Sequence, residues 1–299
     1  MEHRITRRDL LRVLAAGGAA AALPRPVWAG EAPARGKPFF FLQMADPQLF
    51  WGPKEQWATA IKHANRLKPA FVVVCGDLLN RSGRAEKLDP AKDALRLRAY
   101  TEVAATLHRN IPLYNVAGNH DVCNVPTPET LAWYRKHFGK PWYSFTHGDC
   151  LFVVLESDVL KNPQNAPEPA KTQMQWLRRT LEAHRDKPHP HRMVFLHHPL
   201  CLHAVDEKSA YFNLPLELRK ELMELFTRHG VRAVFSGHYH RNAYVKAGDI
   251  ELITSASTGK ALGKDPLGFR IVKVYPDRIE HRYYGYADLP ERVELSAAT

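Results

Sequence analysis

The sequence predicts a layered α/β fold in a single domain, and three observations carry that prediction. Short apolar runs of strand length alternate with helical patterns from residue 39 onwards. The last third of the chain turns to nearly pure strand. The composition, 45% apolar and 24% charged over 299 residues, is that of an ordinary globule and argues against wholesale disorder. Strands interleaved with helices, then strands alone, pack as sheets with helices on their faces.

The elements follow in chain order. "FFFLQMA" (39–45) reads as a strand, and "KEQWATAIKHANRL" (54–67) as a helix with Trp57, Ile61, Ala64 and Leu67 on one face. "AFVVVCG" (70–76) is a buried strand. Asp89 caps a helix over 90–109 that opens on Pro90, and "IPLYNVAG" (111–118) is a third strand. A Thr-Pro start predicts a helix over 127–138, and 142–157 reads as a hairpin turning at His147-Gly148-Asp149. A Pro/Asn-rich loop (158–169) precedes a helix over 171–185. "HRMVFLHH" (191–198), a helix near 214–229 and "VRAVFSGH" (231–238) complete the alternating part. "AYVKAG", "IELITSAS", "GFRIVKVY" and "RIEHRYYGY" are the terminal strands. There is no internal repeat. The domain is expected over 38–288, with a tail at 289–299.

Residues 1–29 do not belong to that globule. Thr6-Arg7-Arg8, an Ala/Leu/Gly run and Val27-Trp28-Ala29 resemble a twin-arginine export signal cleaved after Ala29. The run is short and broken by Pro24 and Pro26, so no stable membrane anchor is expected. The expectation is a protein exported by the twin-arginine machinery to the periplasm or beyond, with residues 30–37 as a linker. Removing residues 1–29 takes the formal charge from +11 to 37 basic against 29 acidic side chains, or +8. That balance suits an anionic substrate. No basic block with interleaved aromatics appears, so no nucleic-acid partner is expected. Cys75, Cys123, Cys150 and Cys201 lie far apart, with no C-x-x-C pair. Mostly free thiols are expected, since Cys75 lies in a buried strand and twin-arginine cargo folds before it leaves a reducing compartment.

The chemistry lies in what ends the strands. Asp46 and Gln48 end the first, Asp77 the second, and Asn119, His120 and Asp121 the third. His197 and His198 end the strand near 195, and His238 and His240 the one near 235. Ligands gather at the carboxyl ends of strands in α/β sheets. One histidine there is more often hydrogen-bonded structure than a ligand. Carboxylates and imidazoles from five strands would crowd like charges on one edge unless a cation joined them. Seven or eight such groups exceed the needs of one ion, so two are expected, about 3.5–4 Å apart if a carboxylate is shared. The mixed carboxylate, amide and imidazole set suits Mn, Fe or Zn.

The series Asp46-x-Gln48, Gly76-Asp77, Gly118-Asn119-His120-Asp121, His197 and Gly237-His238-x-His240 resembles the calcineurin-like metallophosphoesterase superfamily over residues 39–285. More narrowly, "ADPQ", "NLPLELRKEL", "FSGHYHRNA" and "HRYY" resemble the calcineurin-like phosphoesterase domain-containing protein one group of Ser/Thr phosphatases. The resemblance implies a four-layer α/β/β/α sandwich of two mixed sheets flanked by helices. It implies that Asp46, Gln48 and His240 hold one ion, that Asn119, His197 and His238 hold the other, and that Asp77 bridges them. His120 then faces the scissile phosphate as the catalytic residue.

The superfamily usually has histidine where this chain has Gln48. A Gln oxygen tilts that site towards Mn, Fe or Mg over Zn; the alternative is a Gln48 that faces away. The superfamily's protein phosphatases place Asp and Arg where Asn80 and Arg81 stand here. Asn80 is a candidate acceptor for His120, while Arg81 and Arg241 are either phosphate clamps or solvated loop residues. Asp121 and His198 are candidates to support the ligands. His189 and His191 read as a solvated loop, and the aromatics of "LFWG" (49–52) and "AYFN" (210–213) as packing or a pocket rim.

The implied activity is hydrolysis of phosphate monoesters by water activated between two ions, with His120 protonating the leaving alkoxide. The substrate is expected to be a phosphorylated small molecule or a phosphoprotein, and the ions Mn or Fe, with Zn or Mg as alternatives. Phosphodiester or pyrophosphate cleavage, and metal-dependent binding of a phospho-ligand without turnover, are the competing readings.

Overall fold

The computed structural model describes residues 36–49, 51, 55–81 and 89–296. The expected signal and most of the linker lie outside them. Two sheets form. The first contains β1 (Phe39–Met44), β2 (Val72–Cys75), β3 (Leu113–Val116), β10 (Gly268–Val274) and β11 (Ile279–Gly285), in the order β11-β10-β1-β2-β3. The second contains β4 (Tyr143–His147), β5 (Cys150–Val154), β6 (Arg192–Phe195), β7 (Val231–Ser236), β8 (Ala243–Ala247) and β9 (Ile250–Thr254), in the order β4-β5-β6-β7-β9-β8. Both are mixed: β1, β2 and β3 run parallel, as do β5, β6, β7 and β9, and antiparallel partners close the edges.

Period-2 alternation inside continuously apolar strands explains the layering. Phe39 and Phe41 of β1, Val73 and Cys75 of β2, Phe152 of β5, Phe195 of β6 and Phe235 of β7 share one cluster between the sheets. There Phe41 stacks on Phe71 at 4.8 Å and meets Phe195 and Phe235 edge-on. The opposite face of β1, Phe40, Leu42 and Met44, packs with Trp57, Ile61 and Ala64 of α1 (Glu55–Leu67) and Tyr100 of α2 (Pro90–Ala104). Leu151 and Val153 of β5 and Val194 of β6 pack with Leu177 and Leu181 of α6 (Pro167–Ala183) and Leu222 and Phe226 of α7 (Leu216–Arg228). This is the expected four-layer α/β/β/α sandwich.

Local chemistry moves some boundaries. Asp89 caps α2 through Lys92 N–H, but α2 stops at Ala104 rather than 109. There the Thr106 hydroxyl donates to Val103 O, competing with the helical ladder. The segment read as loop from 158 opens instead with α5 (Ser157–Lys161), because the Glu156 carboxylate accepts from Asp158 and Val159 N–H at 2.7 and 2.9 Å. His191 is buried, its Nε2 bonded to Tyr275 O, and not solvated as expected. The third strand runs into a one-turn helix, α3 (Asn119–Val122), before α4 (Pro128–Phe138). Residues 289–296 lie back on the domain, where Arg66 donates to the Pro290 and Glu291 carbonyls. Cys75, Cys150 and Cys201 are buried free thiols, and Cys123 is buried as well. No helix of the described residues is long and apolar enough to cross a membrane.

Candidate metal centre

The loops after β1, β2, β3, β6 and β7 meet at one edge and are stitched together by main-chain bonds. Asp46 N–H donates to Gly76 O, Gln48 N–H to Asp77 O, and Gly237 N–H to His197 O, all within 3.1 Å. Gly237 is needed at the closest approach, since a Cβ there would sit 2.6 Å from Asp46 Oδ2. Among the described residues, five of the eight non-glycine residues with positive φ are Asp46, Gln48, Asp77, His238 and His240. A left-handed backbone at such residues costs about 1–3 kcal/mol each, strain that persists where the surroundings fix a functional geometry.

Two groups of metal-type donors result, Asp46, Asp77 and His240 in one and Asp77, His197 and His238 in the other, each set of atoms mutually within 4.8 Å. Asp77 belongs to both. Asn119 lies with the second group, its Oδ1 3.0 Å from His197 Nε2. Gln48 faces the centre rather than away from it, donating through Nε2 to Asp77 Oδ2 at 2.8 Å. Its buried Oε1 has no partner.

The imidazoles show what the centre is built to hold. A carbonyl can only accept, so a ring nitrogen that bonds one carries the proton. His197 Nδ1 donates to Cys75 O at 2.8 Å, and His240 Nδ1 to Lys260 O. Their other nitrogens face acceptors only: His197 Nε2 meets Asn119 Oδ1 at 3.0 Å and Asp77 Oδ1 at 3.3 Å, and His240 Nε2 meets Asp46 Oδ1 at 3.3 Å. His238 is reversed, with Nε2 donating to Tyr211 O at 3.3 Å and Nδ1 left over. Acceptors pointed at one another need a cation between them. Without a metal that cation is a second proton. Burial opposes the charge on His197, yet Asp77 and Asp46 raise its pKa to about 10. His240 is raised in the same sense, Asp46 outweighing burial. His238 is held well below its ordinary value by burial and by the neighbouring His197. Histidines with one nitrogen fixed on a carbonyl and the other presented as a lone pair are the usual form of metal-ligating imidazole. The residues present therefore fit a pair of ions.

His120 stands beside this set. Its N–H donates to Asp77 Oδ1 at 2.8 Å, its Nε2 lies 4.0 Å from Asp77 Oδ2, and its Nδ1 bonds Arg81 O. The acceptor expected in Asn80 is thus supplied by the Arg81 main chain. The Arg81 guanidinium is not in the site: it is 4% exposed, pairs with Asp93 at 3.2 Å and lies over Trp133. Asp121 fastens the 77–79 loop, accepting from Leu78, Leu79 and Gly118 N–H. Burial and then the Asp77 charge push its pKa up to about 7. His198 bonds Ser157 Oγ, and its ring packs at 4.1 Å on that of His238, which it braces. Arg241 is exposed and committed to Leu262 O through two N–H groups.

Sequence reasoning missed the carbonyls of Cys75, Lys260, Tyr211 and Arg81, which orient the rings. No side-chain pattern marks a carbonyl. It also missed Asp158, a buried carboxylate with no hydrogen-bond partner, 3.7 Å from His198 Nδ1.

The family model described as calcineurin-like phosphoesterase matches residues 41–242. The bovine serine/threonine-protein phosphatase CPPED1 is 38% identical over 277 residues, covering 85% of this chain and 86% of the relative. The human protein of that name is 37% identical with the same coverage. Among solved structures, a dimetal phosphatase from Danio rerio superposes with a TM-score of 0.63 at 17% identity, covering 83% of this chain and 96% of the other. PhoD superposes with a TM-score of 0.61 at 14% identity, covering 84% of this chain and 67% of the other. At such identities these two show a shared fold.

Proposed function

The chain belongs to the calcineurin-like phosphoesterase family, and from that premise we propose that it is an exported hydrolase of phosphate monoesters that works with two metal ions. The observation that carries the proposal is the orientation of His197, His240 and His238, each with one nitrogen fixed on a main-chain carbonyl and the other turned to a centre sharing Asp77. Asp46, Gln48 and His240 would hold one ion, Asn119, His197 and His238 the other, and Asp77 both. The all-oxygen-and-nitrogen set, with an amide at Gln48 and no thiolate, favours Mn or Fe. When bound, the ions supply Lewis-acid stabilisation of phosphoryl charge and lower the pKa of water at neutral pH.

The chain's own residues do the rest. The Arg81 carbonyl keeps a proton on His120 Nδ1, so Nε2 is the atom that exchanges one. That Nε2 lies 4.0 Å from Asp77 Oδ2 at the edge of the donor set, and 22% exposure of the side chain leaves room for a leaving oxygen to take its proton. General-acid assistance of this kind contributes about 10²–10⁴-fold.

For substrate class, the curated relatives carry serine/threonine-protein phosphatase in their names, which supports monoesters, phosphoprotein side chains included. Export rests on Arg7-Arg8 and on Val27-Trp28-Ala29. A secreted form whose intact mass begins at Gly30 would support it, and retention in the cytoplasm at full length would remove it. The central test pairs elemental analysis of the native protein with hydrolysis of an aryl phosphate. Two equivalents of metal with turnover, both lost in Asp77→Ala, are expected. Undiminished turnover by Asp77→Ala would refute the scheme.

A further inference from the structure

Among the described residues only Trp51, Tyr211, Tyr244 and Leu262 are large apolar side chains left substantially exposed, and two of them flank the metal centre. A large apolar group left exposed beside a cluster of polar donors is informative in a way an isolated exposed Leu is not. Trp51 is 42% exposed, yet its backbone is fixed. Its N–H donates to Gln48 O at 3.1 Å, and Leu49, two residues earlier, is buried and bridged to Leu79. The indole lies beside two rings of the site. It lies 6.3 Å from the His120 ring at an interplanar angle of 27°, and edge-on to His240 at 5.5 Å. Tyr211 stands by the other donor group, its ring 4.9 Å from His238 and its hydroxyl 3.4 Å from Asn119 Nδ2. Lys161 secures that wall by donating to the Ala210, Tyr211 and Asn213 carbonyls.

We infer that Trp51 is a specificity residue: its indole stacks on a flat leaving group departing beside His120, so the centre prefers aryl phosphates, the esters of phenols, over alkyl phosphates. The inference rests on the phosphomonoesterase reading and departs from the relatives' names on the leaving group, since phosphoserine and phosphothreonine are alkyl esters. The group that receives the His120 proton must lie next to that ring, and the nearly parallel indole offers it an apolar face. An alkyl leaving group has no π-face to present there. Stacking of one ring on an aromatic side chain is worth about 1–3 kcal/mol, or roughly five- to 150-fold.

The test uses the full-length, manganese-loaded protein. The ratio of kcat/KM for phenyl phosphate to that for glycerol 2-phosphate is measured in the parent, Trp51→Ala and Trp51→Phe. The ratio should fall about tenfold in Trp51→Ala, mainly through KM for the aryl ester, and recover in Trp51→Phe. Calorimetry with phenylphosphonate and methylphosphonate gives a second readout that needs no turnover. The parent's preference for the phenyl compound should vanish in Trp51→Ala. A selectivity ratio unmoved within about twofold, or an equal loss on both esters, overturns the inference. Should the parent hydrolyse neither ester, the phosphomonoesterase reading fails, and the phosphonate comparison alone decides whether Trp51 holds aryl groups.

Discussion

Gln48 turns its amide nitrogen, not its oxygen, to the carboxylate shared by both donor groups: Nε2 donates to Asp77 Oδ2 at 2.8 Å, while Oε1 is buried without a partner. An amide can turn end for end with no change of shape. A cation on Asp77 would repel the N–H and attract the oxygen, so loading predicts that turn. The near-isosteric Gln48→Leu should weaken the first ion by about tenfold or more, the scale seen when a group orienting a metal site is removed. Gln48→Glu, which adds a charge, should tighten it. Titration of metal-free protein with Mn, followed by elemental analysis, checks both. Unchanged loading in the Leu variant would mean that the oxygen is no ligand.

His120 is expected to separate chemistry from metal binding. Its Nδ1 and main-chain N–H hold it in place, and neither donor group includes its side chain. His120→Asn should keep both ions and lower kcat by about 10²–10⁴-fold for esters with poor leaving groups. The loss should shrink as the leaving group becomes more acidic, because a stable anion needs no proton. A flat dependence on leaving-group pKa would assign His120 another task.

Gly237 allows a stricter test of the strand-end geometry. An alanine Cβ would meet Asp46 Oδ2 at 2.6 Å, Ala45 Cβ at 2.8 Å and Cys75 O at 2.8 Å. Two of these neighbours belong to the strand ends that carry Asp46 and Asp77, so they cannot yield without moving a ligand. Gly237→Ala should destabilise the fold by about 1–3 kcal/mol and reduce metal loading more than it reduces helicity. Thermal unfolding with and without Mn would show it as a smaller stabilisation by the ion.

The strand ends were legible because function broke their pattern. Asp, Asn and His directly after runs such as "VVVC" and "AVFS" have no place in a buried edge, and five such breaks point to one locus. The layers were legible less directly. Phe41 and Leu42 look alike in sequence but face different cores, and only the pairing of β1 with β2 and β10 shows which is which. Trp51 and Tyr211 could be noticed but not placed, since loop aromatics carry no periodicity. The orienting carbonyls of Cys75 and Lys260 depend on backbone path alone. Arg81 misled for a related reason: its partners Asp93 and Trp133 lie on helices whose approach to the 77–81 loop no local pattern encodes.

The Glu156 carboxylate makes a prediction about stability rather than turnover. It is fully buried, caps α5 through Asp158 and Val159 N–H, and shares its surroundings with Asp158 and the His197–His198 pair. Burial pushes its pKa up to about 7, against 4.5 for an ordinary glutamate. Between those values the folded protein keeps a proton that the unfolded chain has released. Stability from this group is therefore full below about pH 4.5 and declines as pH rises towards 7. Asp121, also raised to about 7, acts in the same direction, while His198, depressed by burial and by His238, acts in the opposite one below its ordinary value of 6.5. The absolute pH profile thus mixes several groups, but the difference between parent and Glu156→Gln isolates one. A glutamine keeps an oxygen for the cap and cannot ionise. Its stability relative to the parent, measured by urea unfolding, should improve steadily from pH 4.5 to 7 and level off above. A difference that stays constant across that range would place the Glu156 proton elsewhere.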